Sequence, residues 1–133
     1  MSWDIVLFNS KQKIGRVEDI DEESLVPVDF CSILAKHFDS IITDDICREI
    51  KGDDYSIHYL TTEEPESNMF LNLDGEHALF ELINISKMYN WQIFDTGTGQ
   101  MLNLKNPERN GFDNFHTYEQ KMLVRKKEQA QHH

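Results

Sequence analysis

Trp3-Asp4-Ile5-Val6-Leu7-Phe8 decides how this chain folds. Its Trp, Ile, Val and Phe side chains suit a pleated, half-buried surface. Strand side chains alternate between faces, so Trp3, Ile5 and Leu7 fall on one side, and Val6 and Phe8 on the other. Both sides are apolar. That pattern predicts a strand with neighbours on both edges, central in its sheet.

Outward from this strand, residues 16–24 turn acidic and aperiodic (Glu18, Asp19, Asp21, Glu22, Glu23) and read as a solvated loop. Pro27 and Asp29 announce a first helix, with Asp29 as N-cap and Phe30, Ile33, Leu34, His37 and Phe38 at helical spacing. Two strands, Ile46–Ile50 and Tyr55–Leu60, flank the turn Gly52-Asp53-Asp54. Thr61–Glu66, with Pro65, is a turn, and Asn68–Leu73 a further strand. Asp74-Gly75-Glu76 opens a second helix, with Asp74 expected to cap it and Leu79, Leu82, Ile83, Ser86 and Tyr89 inward. Asn90 ends that helix. Trp91–Asp95 and Met101–Leu104 then form strands around Thr96-Gly97-Thr98-Gly99-Gln100. A last helix is expected from about Asp113, with Phe115, Tyr118 and Met122 on one face and Arg125-Lys126-Lys127 at its end.

The order β-α-β-β-β-α-β-β-α predicts an α+β fold: a mostly antiparallel or mixed sheet with about three helices. With 133 residues, the chain fits a single domain over 1–127 and a frayed tail over 128–133. His132-His133 has the form of a tag remnant and is set aside. Fourteen aromatic side chains argue for a real core and against disorder.

Two cysteines, Cys31 and Cys47, cannot build a disulfide framework. The longest apolar run, Ile5–Phe8, is far short of the ~20 residues of a membrane helix. Asp4 stands where a signal peptide carries positive charge. The expectation is a cytoplasmic protein that binds neither membrane nor, given a net charge of −11, nucleic acid, whose phosphates need a basic footprint.

Chemistry-bearing motifs are weak. Thr96-Gly97-Thr98-Gly99 is followed by a strand, whereas a phosphate loop must lead into a helix N-terminus; it reads as a hairpin turn. Cys31 and His37 are about 240° apart around a helix and cannot face one ion. His58, His77 and His116 share no ligand spacing, and Asp44-Asp45 and Asp53-Asp54 lack the alternating oxygens of a calcium loop. No catalytic residue, metal or cofactor is assigned.

Charge is more informative. Residues 18–86 carry a net −15, with Lys36, Arg48 and Lys51 as the only bases, and the remainder a net +4. Aromatic side chains give rigid contact area, and clustered charge steers a complementary partner. Asp53, Asp54, Tyr55, Tyr59, Glu63 and Glu64 are therefore the expected partner-binding residues. Glu18, Asp19, Asp21, Glu22 and Glu23 form a second patch.

Three features carry a resemblance: the opening strand Trp3–Asn9, the acidic middle, and Tyr89-Asn90-Trp91-Gln92-Ile93-Phe94-Asp95 running into a glycine turn that ends at Gly99. In these the chain resembles the small acidic immunity proteins that bacteria encode beside contact-dependent and polymorphic toxins, and is otherwise similar to uncharacterised bacterial proteins. The resemblance implies a non-enzymatic cytoplasmic protein that binds one cognate toxin, with no fixed functional residues to carry over. A basic toxin domain, such as a nuclease, is the expected partner. The alternatives are an acidic adaptor with another basic partner, and a small hydrolase pairing His58 or His77 with a carboxylate.

Overall fold

The computed structural model describes residues 2–105, nearly all within one compact unit, Met1–Leu102. Its strands are β1 (Ser2–Asn9), β2 (Ile41–Asp44), β3 (Cys47–Lys51), β4 (Ser56–Leu60), β5 (Asn68–Asp74), β6 (Trp91–Asp95) and β7 (Gln100–Met101). The helices are α1 (Phe30–His37) and α2 (Glu76–Tyr89), with short 3₁₀ turns at Val17–Asp19 and Glu22–Ser24. All seven strands join one antiparallel sheet in the order β2-β3-β4-β5-β1-β6-β7. The α+β class holds. Among the described residues there are two α-helices rather than three, because the helix expected from Asp113 lies outside them.

β1 is flanked by β5 and β6, as its two apolar faces predict. Ile5 lies opposite Leu71 and Asp95, and Leu7 opposite Met69 and Ile93. This face continues through Leu73, Ile57 and Ile50, all buried, and forms the core. α2 packs on β5 and β6 and buries Leu79, Phe80, Leu82 and Ile83. α1 covers the same face: Phe30 lies 4.8 Å from the ring of Trp91, and His37 Nε2 is 2.8 Å from the Tyr89 hydroxyl.

The opposite face exposes Ile42, Leu60 and Phe70. Among the described residues, its β1–β6 end alone is covered, by the loop after β1, which buries Ile14. Gln92 clamps that loop: its Oε1 accepts from Ile14 N–H at 2.7 Å and its Nε2 donates to the Gln12 carbonyl at 2.8 Å.

Two local readings need correction. Asp74 is not at the N-cap position of α2; it is the last residue of β5, opposite both Ser2 and Ser56, and the N-cap position falls to Gly75. Four strands rather than three separate the helices, because Ile41–Asp44 pairs with β3 through a two-residue turn at Asp45 and Ile46. Asp29 does cap α1, accepting from Ser32 N–H at 3.1 Å, and Asn90 closes α2 in the left-handed conformation. Thr96–Gly99 is a hairpin turn between β6 and β7, in which the buried Asp95 carboxylate accepts from Gly97 N–H at 2.9 Å.

Candidate functional site: an apolar cleft beside acidic loops

The β4–β5 ladder stops early. Ser56, Ile57 and His58 pair with Asp74, Leu73 and Asn72, but Tyr59 and Leu60 have no register partner on β5. β5 runs on to Asn68 with its other edge paired to β1 throughout. The two arms are held by different neighbours. Thr61 N–H donates to the Ile46 carbonyl at 2.8 Å, which ties the β4 arm to the β2–β3 turn. Glu66 and Val28 exchange backbone hydrogen bonds at 2.9 and 3.2 Å, and Asn9 N–H donates to the Ser67 carbonyl at 2.8 Å, so the β5 arm is drawn toward β1. The loop between them, residues 61–67, contains Pro65 and is too long for a tight hairpin to close the gap.

The result is a cleft of about 520 Å³, within the ~300–1,000 Å³ range of ligand pockets. Phe30, Tyr59 and Met69, all buried, come from the core side; Leu60 and Phe70, 55% and 56% exposed, flank it on the open face. Polar groups reach it from Arg48, His58, Thr62, Glu66, Asn68 and Asn72. Arg48 is engaged, donating to the carbonyls of Asp45 at 2.7 Å and Cys47 at 3.0 Å. Burial pushes the Tyr59 hydroxyl above its ordinary pKa, with Cys31 adding to the shift and Arg48 opposing it.

The expected contact residues divide by position. Glu63 and Glu64 are exposed on the loop at the cleft. Asp44 and Asp45 join them, because their turn is bonded to Thr61. Asp53, Asp54 and Tyr55 sit at the other end of β4, about 17 Å away along a five-residue strand, so they do not form one patch with Glu63 and Glu64. There Asp54 Oδ2 lies 2.6 Å from His77 Nδ1, and Tyr55 is half-buried over Gly52. Tyr59 is 6% exposed and belongs to the core face, so it offers no free surface. Glu18, Asp19, Asp21, Glu22 and Glu23 are exposed on the 3₁₀ turns, where Arg16 Nε pairs with Asp19 at 3.2 Å and Asp21 caps the second turn. Their segment returns beside β1 through a Ser10–Leu25 bridge and Val26 N–H to Asn9 O, at the same end of the sheet as the 61–67 loop.

Sequence reasoning did not find the cleft, Leu60, Phe70 or the position of Asp44-Asp45 beside the 61–67 loop. The one available signal was Leu60, an apolar residue on the polar side of an alternating strand. Of the histidines considered for catalysis, His58 faces the cleft with Glu49 Oε2 at 3.2 Å, but that carboxylate is 30% exposed rather than buried. Among the described residues, no group of three or more His, Cys, Asp or Glu side chains is placed to hold a metal, and no helix is long and apolar enough to cross a membrane. Both cysteines are free.

No family model matches this chain, and neither the curated proteins nor the solved structures contain a match.

Proposed function

We propose that this protein neutralises a basic toxin domain by stoichiometric binding, as an immunity protein does. The observation that supports this reading best is the gathering of Asp44, Asp45, Glu63, Glu64 and Glu66 on two loops joined by the Thr61–Ile46 hydrogen bond at one end of the sheet. Charge concentrated in this way speeds encounter with a basic surface and discriminates against acidic ones. The carboxylates of Glu18–Glu23 lie at the same end and extend the field. Asp53 and Asp54, at the opposite end, are a separate feature and are not part of the proposed surface.

An immunity gene directly follows its toxin gene, which supplies the test. Cells expressing the product of the upstream gene are expected to stop growing, and co-expression of this chain to restore growth. Glu63→Lys with Glu64→Lys should abolish protection, while Asp53→Lys with Asp54→Lys should preserve it. An upstream product that is harmless, or protection that survives the first pair of changes, overturns the reading. A harmless upstream product would leave the acidic adaptor as the better description.

A further inference from the structure

We infer that the cleft between β4 and β5 receives an apolar anchor side chain, aromatic or large aliphatic, from a basic segment of a protein partner. The inference rests on the protein-binding reading above and specifies which part of the surface supplies the grip. Three observations converge on it.

First, the cleft is a break in an otherwise continuous sheet, held open by hydrogen bonds that tie its two arms to different neighbours. It is preformed, so a partner need not order it on binding, and that raises affinity. Second, apolar side chains line it on both faces of the sheet. Leu60 and Phe70 stand more than half exposed on either side, and Phe30, Tyr59 and Met69 lie beneath. Exposed apolar side chains grouped around a concavity and rimmed by polar residues mark interaction sites. Binding energy in protein interfaces concentrates where an aromatic or Arg anchor fills such a pocket.

Third, the surrounding charge selects the occupant. Glu66 lines the cleft, Glu63 and Glu64 lie on the same loop, and Asp44-Asp45 lie on the turn bonded to it. Among the described residues, the base that lines the cleft, Arg48, is turned to backbone carbonyls of its own turn. An anchor flanked by Lys or Arg would place its cations against these carboxylates. One flanked by acids would be repelled.

The test uses a synthetic peptide with one Trp between Lys-rich flanks, titrated into the full chain and followed by backbone amide NMR. Shifts are expected at Leu60, Met69, Phe70 and the 61–67 loop. Replacing Trp by Ala, or the Lys flanks by Glu, should weaken binding about tenfold or more, as hot-spot removal does. Leu60→Ser with Phe70→Ser should do the same; both side chains are exposed, so the core is untouched. Ile42→Ser, on the same open face but outside the cleft, should leave affinity unchanged.

Binding that survives Leu60→Ser/Phe70→Ser yet disappears with Glu63→Lys/Glu64→Lys overturns the cleft as anchor site and leaves the acidic surface standing. Equal binding of the Glu-flanked peptide overturns both. Absence of any shift at Leu60, Met69 and Phe70 at saturating peptide overturns the inference.

Discussion

At Gly75 the backbone has φ +92°, and a Cβ there would lie 2.7 Å from the Asp54 carbonyl oxygen. Both facts demand glycine where β5 gives way to α2. Gly75→Ala is expected to destabilise the fold by about 1–3 kcal/mol, the usual range for forced backbone strain, read as a lower urea midpoint at unchanged slope. Beside it, the Tyr55 ring lies so close over Gly52 that a Cβ there would overlap it. The Tyr55 hydroxyl is pushed up to about 12, chiefly by burial and then by Glu81, Asp54 and Asp53. An unfolded tyrosine loses its proton near ~10. Between about pH 10 and 12 the unfolded chain has therefore released a proton that the folded chain retains, and stability falls as pH rises. Tyr55→Phe should flatten the stability profile over that alkaline window, measured by denaturant unfolding at each pH. Tyr59, raised chiefly by burial, contributes a slope of the same sign.

Elements were legible in proportion to how local their causes are. α1 could be placed because its cap is a local event: the Asp29 carboxylate accepts from Ser32 Oγ at 2.7 Å and from Ser32 N–H at 3.1 Å. These bonds, the side-chain one foremost, hold Asp29 below the usual carboxylate range. Its contribution is thus present above the unfolded value and is lost as pH falls through the folded one. Asp29→Ala should lower stability at neutral pH and reduce the loss on acidification, checked by thermal unfolding at neutral and acid pH. β1 and β6 were legible from alternation, and Asn90 from its role as a left-handed stop. β2 was not, because only Ile41 of Ile41–Asp44 turns inward and an edge strand of that kind shows no alternation. Asp74 was misread for a related reason. An Asp before a helix suits an N-cap, but pairing to Ser2 and Ser56 keeps this one in the sheet.

At the scale of the molecule, the net charge along the chain was legible and its distribution in space was not. The acidic segment passes through both ends of the sheet, so Asp53-Asp54 and Glu63-Glu64, close in sequence, are separated by the length of β4. The cleft was invisible for the same reason: it exists because a ladder stops, and the stop is set by Ile46, Val28 and Asn9, all distant in sequence. Like charge packed into one end should also oppose folding. Salt screens such repulsion, so moderate NaCl is expected to raise the thermal midpoint, and a midpoint that falls would count against clustered repulsion. The central position of β1 also has a consequence in time. Phe8 pairs with Asn68 and Asn9 with Trp91, so on a ribosome adding about 5–20 residues per second the strand waits several seconds for its first neighbour and longer for its second. During that interval a segment with two apolar faces has no sheet to join. The nascent chain therefore needs a chaperone most while β1 waits for β5 and β6, the strands that finally enclose it.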